Sequence, residues 1–186
     1  MSSAPTTTCQ PVLIAGRWRD AAMVDSFKAT DPSQNSAIDR EFPVSSWADV
    51  DEALDAAAAA ATELRKTSPE KIAAFLEAYA DLIQANAADL VESAHQETGL
   101  PKSPRLADVE LPRTINQLRL AAAAARTGSW AMPVIDSKAS IRSCYESLGP
   151  VCVFGPNNFP FAFNSASGGD FAAAIAAGNP VIAKAN

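Results

Sequence analysis

The spacing of apolar residues changes twice along this chain, and each change marks a different kind of element. Up to residue 42 the apolar residues come in short runs broken by turns. Leu13-Ile14 leads into Ala15-Gly16 and on to Trp18, and further runs fall at residues 26–29 and 38–42, on either side of Asp31-Pro32. Short runs bounded by Gly and Asp-Pro predict strands, here a small hairpin and a meander at the surface. From residue 46 the period becomes helical. Ser46 followed by Asp49 predicts a capping box, with Asp a shorter reach than Glu, and Ala53, Leu54, Ala57, Ala61 and Leu64 form a narrow stripe behind it. Ser68-Pro69 predicts the next helix start, with Ser as cap and Pro in the first turn. Ile72, Phe75, Leu76, Tyr79, Leu82 and Ile83 follow at helical spacing.

A cap at Asn86 with Asp89 predicts a third helix, with Leu90, Val91 and Ala94 inside and Thr98-Gly99 at its end. Ser103-Pro104 predicts a fourth. Pro112 then falls inside it, where a missing donor and a ring clash cost about 3 kcal/mol, so a kink or break is expected there with helix resuming over residues 114–126. Residues 141–146 alternate apolar and polar, as a half-exposed strand does. Taken alone, residues 130–149 read as an ordinary edge hairpin.

Residues 149–186 return to short apolar runs around one helical stretch. Residues 151–154 are apolar and Val-rich, which predicts a strand buried on both faces of a parallel sheet. Gly155-Pro156 breaks it. Residues 161–177 predict a helix, with Gly178 as its left-handed cap, and residues 181–183 a second strand. Such a strand-loop-helix-strand unit places a ligand beyond the carboxyl ends of its strands. Residues 155–160 and 184–186 lie at that edge. Gly168-Gly169 would stand inside the helix, where each glycine costs roughly 1 kcal/mol relative to alanine. A close backbone approach, in packing rather than to a ligand, is the expected compensation. Asp170 is expected on a buried helix face or on the substrate side and is given no role.

Composition narrows the options. The chain has 186 residues, 48% hydrophobic and 19% charged, which suits a globular domain. A net charge of -6 without a basic cluster argues against nucleic acid. Residues 1–10 are Ser/Thr/Pro-rich and lack the pattern of a secretory leader. The uncharged helical runs are too short to span a bilayer. Cys9, Cys144 and Cys152 form no paired spacing and read as reduced thiols of a cytoplasmic protein, Cys9 in an unstructured tail and Cys152 in a buried strand. The single histidine, His95, reads as solvated or locally hydrogen-bonded, and no metal site is expected.

The last stretch resembles the aldehyde dehydrogenase family. Members carry a P-W-N-F-P loop, a helix ending A-A-G-N and a strand ending K-P. Here these become Pro156-Asn157-Asn158-Phe159-Pro160, Ala176-Ala177-Gly178-Asn179 and Lys184-Ala185. Glu97-Thr98-Gly99-Leu100-Pro101 resembles the family's E-T-G-x-P turn. The form GPNNFPFAF followed by Gly168-Gly169-Asp170 is similar to the branch acting on 2,5-dioxopentanoate (2-oxoglutarate semialdehyde). The resemblance runs from about Leu13 onward. It implies an α/β fold: a β-meander and helices of the cofactor domain over residues 1–129, the start of an oligomerisation arm over 130–149, and the first strand-helix-strand of a Rossmann-like parallel NAD(P)-binding sheet over 150–186. It also implies a homo-oligomer, dimer or tetramer, in the complete protein.

For chemistry, the resemblance implies NAD(P)-dependent oxidation of an aldehyde to a carboxylic acid. Asn158 would donate its side-chain amide to the oxyanion, with Asn157 in place of the family's tryptophan. Without the resemblance, Asn158 reads as a turn cap. Lys184 would reach the adenosine ribose of NAD or the 2′-phosphate of NADP, and Phe154, Gly155 and Pro156 would line the same groove. The family's nucleophilic cysteine and glutamate base lie beyond its K-P strand, after the last residue of this sequence. Cys9, Cys144 and Cys152 do not match that cysteine. The chain is therefore expected to be a truncated N-terminal portion, inactive alone. The alternative is a stand-alone, non-catalytic module that binds or oligomerises through exposed strands.

Overall fold

The computed structural model describes residues 9–185. The chain opens on two antiparallel hairpins. The first joins β1 (Val12–Ile14) to β2 (Arg17–Arg19) through Ala15 and Gly16, both at positive φ. The second joins β3 (Met23–Asp31) to β4 (Ser36–Ser45), with Phe27 stacked on Phe42 at 5.7 Å. The Asp31 carboxylate accepts from the Ser33 and Gln34 N–H groups and so closes the turn. These strands run further than the apolar runs alone predicted, because pairing continues up to the turn. The Gln10 N–H donates to the Glu41 carbonyl at 2.8 Å and Cys9 is half-buried, so the unstructured tail expected at Cys9 is corrected. Residues 1–8 lie outside the described residues.

Four long helices follow in part as predicted: α1 (Trp47–Leu64), α2 (Pro69–Ala85), α3 (Ala87–Thr98) and α4 (Leu111–Thr127). Ser46 Oγ accepts from the Asp49 N–H, but the Asp49 carboxylate does not reach back. It accepts instead from the Ala22 N–H and from Arg19. The capping box is half formed because a short acid has better partners elsewhere. α2 packs on α4, with Leu76, Ala80, Leu118 and Ala122 wholly buried. The two alanines let the helices approach while the two leucines fill the space between them. Burying a leucine of this kind stabilises by about 1.5–3 kcal/mol. Phe75 and Leu82 belong to the predicted stripe yet remain exposed, since α4 covers only the face carrying Ile72, Leu76 and Ile83. α3 and α4 each end on a left-handed glycine, Gly99 and Gly128.

The predicted helix start at Ser103-Pro104 takes another form. Residues Lys102–Glu110 make a wide helical turn, with the Leu106 N–H on the Pro101 carbonyl and the Leu111 N–H on the Leu106 carbonyl. Ser103 is extended and its bond to Pro104 is cis. Pro112 falls in the first turn of α4, where its missing N–H has no helical partner to lose. The break expected at Pro112 therefore takes the form of a change from wide turn to α-helix just before it.

A small antiparallel hairpin, β5 (Val134–Asp136) with β6 (Ile141–Ser143), stands clear of the core with every residue exposed. The final unit pairs β7 (Val151–Phe154) in parallel with β8 (Val181–Lys184) around α5 (Gly169–Ala176). α5 is much shorter than the helix predicted over residues 161–177. Residues 161–168 form successive turns and not a continuous helix: the Phe161 and Ala162 N–H groups go to Glu110 and the Ala166 N–H to the Asn164 side chain, while Phe163, Asn164, Ser167 and Gly168 bond back three or four residues. Gly168 is consequently the residue before α5 and Gly169 its first, and Asp170 is exposed. The β7–β8 ladder is covered on one face only. Val153 is buried, whereas Cys152 and Phe154 are exposed, correcting the strand buried on both faces and the buried Cys152 thiol. Gly178 has φ +76 after α5, as predicted. Asn179 is buried behind it, accepts from the Gly149 N–H and donates to the Ala174 carbonyl, tying the start of β7 to the end of α5. No helix among the described residues is long and apolar enough to cross a membrane.

Candidate functional site

The sequence-predicted site residues gather at the carboxyl ends of β7 and β8. Phe154 and Lys184 are register partners, the last pair of the parallel ladder. Phe154 is 73% exposed, Lys184 is exposed, and no ion pair engages Lys184 among the described residues. Gly155 then turns the chain into the loop that carries Pro156, Asn157 and Asn158, all three exposed. A Cβ at Gly155 would lie 2.5 Å from the Phe163 carbonyl oxygen and 2.6 Å from the Ser165 nitrogen, so only glycine lets β7 end this close to the returning loop.

That loop is held by its backbone. The buried Glu110 side chain, 1% exposed, accepts from the Phe161 and Ala162 N–H groups at 2.9 and 3.0 Å. Glu110 is also paired with Arg105. Arg105 in turn donates to the Asn158 carbonyl at 3.1 Å and lies 4.4 Å over the Phe159 ring. Ser165 Oγ donates to the Lys184 carbonyl at 2.6 Å, fastening the loop to the end of β8. Tyr79 donates its hydroxyl to the Ala166 carbonyl. Burial pushes the Tyr79 pKa up, so the group stays a neutral donor. The Asn158 side chain makes no hydrogen bond among the described residues, although its own carbonyl is tethered.

Beyond Phe159, the ring of Phe163 packs edge-on at 5.1 Å, and Arg113 lies 5.3 Å over Phe163. Arg113 is exposed and has no carboxylate partner among the described residues. His95 is locally bonded, with Nδ1 2.7 Å from the Leu100 carbonyl, as expected. Cys9, Cys144 and Cys152 are free thiols. Among the described residues no cluster of His, Cys, Asp and Glu has the makings of a metal site.

Sequence reasoning did not single out Arg105, Glu110, Arg113, Ser165 or Tyr79's polar role. One signal was present. Leu106, Glu110, Thr114 and Leu118 are four apart and at most 1% exposed. A glutamate in phase with two core leucines marks a buried carboxylate that needs partners.

Two parallel strands joined through a short helix, with a tethered polar loop and a bare cation at their carboxyl ends, make a strand-helix-strand unit of an α/β protein. The profile of the aldehyde dehydrogenase family matches residues 18–186, and the chain belongs to that family. It is 42% identical over 184 residues to alpha-ketoglutaric semialdehyde dehydrogenase 2 of Azospirillum brasilense, covering 94% of this chain and 34% of that protein. It is 36% identical over 176 residues to alpha-ketoglutaric semialdehyde dehydrogenase of Acinetobacter baylyi, covering 90% and 32%. Among solved structures, a putative aldehyde dehydrogenase from Burkholderia cenocepacia superposes with a TM-score of 0.79 at 27% identity, over 93% of this chain and 34% of that one. A mutant of aldehyde dehydrogenase C from Pseudomonas syringae, complexed with NAD+ and octanal, gives 0.80 at 24% identity over 96% and 35%, a likeness of fold. The chain thus spans about a third of the length of the relatives it matches.

Proposed function

We propose that this chain supplies the oxyanion donor and one edge of the cofactor site to an NAD(P)-dependent aldehyde dehydrogenase whose substrate is a short semialdehyde such as 2,5-dioxopentanoate. The observation that carries the reading is Asn158. Its backbone is fastened while its amide is left unbonded among the described residues, at the carboxyl end of β7. A neutral amide held this way suits an oxygen that gains charge as a nucleophile adds to an aldehyde carbon. The nucleophile itself is assigned to none of Cys9, Cys144 or Cys152.

Phe154 and Lys184 fit a dinucleotide by their chemistry. An exposed ring stands beside an unpaired ammonium, the latter suited to ribose hydroxyls or a 2′-phosphate. NAD or NADP, when bound, supplies the acceptor for the aldehyde's hydride. Gly155, Pro156 and Asn157 would complete the wall of that groove. The semialdehyde reading draws on the two semialdehyde dehydrogenases above and on Arg113, an unpaired cation available to a substrate carboxylate. The β5–β6 hairpin is proposed as the start of an arm that pairs subunits.

Asn158→Ala in the full-length protein should lower turnover by about 10²–10³, read as cofactor reduction with 2,5-dioxopentanoate. Unchanged turnover would overturn the assignment. A second reading, a non-catalytic module that docks through its strands, is favoured by the bare β5–β6 hairpin and the one-sided β7–β8 ladder. An endogenous protein with an intact mass of 19.4 kDa would support that reading over the first.

A further inference from the structure

Arg105 and Glu110 stand before α4, distant in sequence from the loop they grip. Arg105 makes three contacts at once: the ion pair to Glu110, the hydrogen bond to the Asn158 carbonyl and the face of the Phe159 ring. Glu110 receives two consecutive N–H groups, Phe161 and Ala162, through one oxygen, and Arg105 through the other. Together they fix the backbone from Asn158 to Ala162 from one side.

We infer that Arg105 and Glu110 are positioning residues that set the direction of the Asn158 amide. The inference rests on the reading of Asn158 as the oxyanion donor. The physical reason lies in the peptide plane. The Asn158 carbonyl belongs to the peptide that follows its Cα, so tethering that oxygen restricts ψ of Asn158 and with it the direction of the side chain. Glu110 fixes the same segment two and three peptides further on. The segment therefore has little freedom to swing, and Asn158 itself gives up no donor to the tether. A misplacement of about 1 Å in such a group can cost 10²-fold in rate.

A purely structural clamp would act on folding and on every kinetic constant alike. A positioning pair acts on turnover, and only when Asn158 is present to be positioned. The decisive variant is Arg105→Lys, which keeps a cation for Glu110 but cannot reach Glu110 and the Asn158 carbonyl with one planar fork. It is made in the full-length protein, alone and together with Asn158→Ala, with Glu110→Gln as a companion that keeps the oxygen acceptor and removes the charge. Turnover, KM for 2,5-dioxopentanoate, the dissociation constant of NAD(P) and the thermal midpoint are measured for each.

Arg105→Lys should lower turnover about tenfold or more. KM, cofactor affinity and the thermal midpoint should stay close to those of the parent. In the Asn158→Ala background the same change should have less than about a twofold effect, because coupled residues are not additive. Equal effects in both backgrounds, or no effect in either, would overturn the inference while leaving Asn158 as donor. Full turnover in Asn158→Ala alone would instead overturn the function proposed above, and this inference with it. If Arg105→Lys fails to fold, the same comparison is made with Glu110→Gln. Should both fail to fold, the pair is structural and the inference is wrong.

Discussion

Two adjacent glycines should respond to the same substitution in opposite ways. A Cβ on Gly168 would lie 2.7 Å from the Asn164 carbonyl oxygen, 2.7 Å from the Phe163 carbonyl carbon and 2.8 Å from the Asn164 nitrogen. Ordinary contact begins at 3.4 Å, so each distance is short by about 0.6–0.7 Å. All three atoms are backbone, and the segment has little room to retreat. It is held by the Gly168 N–H on the Asn164 carbonyl at 2.8 Å and by the Gly169 N–H on the Ala162 carbonyl at 3.0 Å, and on its other side Gly155, just after β7, leaves no room for a Cβ either. Overpacking of this kind costs about 1–3 kcal/mol. At roughly 2–4 °C per kcal/mol for a chain of this size, Gly168→Ala should lower the melting temperature by about 2–12 °C.

Gly169 faces only the Gln117 side chain, at 3.5 Å, and has helical backbone at the start of α5. Gly169→Ala adds no clash there and removes conformational freedom from the unfolded chain. It should be neutral or stabilising by up to about 1 kcal/mol. The assay is thermal unfolding of the two variants beside the parent, followed by circular dichroism and calorimetry. Equal losses in both variants, or a loss in Gly169→Ala alone, would refute the placement of Gly168 against the loop.

Two further expectations concern charge. Hydrogen bonds from Arg126 hold the Glu70 and Glu77 pKa values below the usual 4.5. A depressed folded-state pKa stabilises above the unfolded value and ceases to do so as pH falls through the folded one. The melting-temperature gap between the parent and Arg126→Met should therefore be flat well above the usual 4.5 and narrow as pH falls below it, and shrink in salt; a gap indifferent to both would count against the ion pairs. In the full-length protein, Arg113→Ala should raise KM for 2,5-dioxopentanoate at least about tenfold, in keeping with 1.5–3 kcal/mol for a charged hydrogen bond, and leave KM for acetaldehyde nearly unchanged. A parallel rise for both aldehydes would remove Arg113 from substrate recognition.

Much of the helical layer was legible because its signals are local. Ser68-Pro69 and Gly99 mark helix ends through their own backbone preferences, and the 3.6-residue stripe of α2 needs no partner to be seen. The stripe could not say which helix would cover it, so the spacing alone does not separate Phe75 and Leu82, which are exposed, from Leu76, which is buried. The same limit applies to β7. Its run of apolar residues predicts burial on two faces, while the described chain brings a covering layer to one. The stretch from Phe161 to Gly168 failed for a different reason. Residues 161–163 begin an apolar run, but the Ala166 N–H turns to the Asn164 side chain and Ser165 is fastened to the Lys184 carbonyl, a partner 19 residues further on that the local run does not reveal. Asn158 and Lys184 were singled out through a motif and Phe154 by its position beside it, and the residues that hold their loop lie outside that motif.

The wide turn before α4 explains why Arg105 and Glu110 went unseen as a pair. At 100° per residue in an α-helix, side chains five apart diverge by about 140° and do not meet. A helical reading from Ser103 onward therefore separates Arg105 from Glu110. Residues Lys102–Glu110 instead carry hydrogen bonds between residues five apart, at Leu106 on Pro101 and at Leu111 on Leu106. That spacing returns residue 110 to the side of residue 105. It ends at Glu110, and α4 begins at Leu111, one position before Pro112. Pro112, read in the sequence as a local interruption, thus lies where the backbone changes from the wide turn to the α-helix. The wide turn allows the ion pair, the ion pair holds Asn158 to Ala162, and the geometry of the candidate site is set by a segment the family motif does not contain.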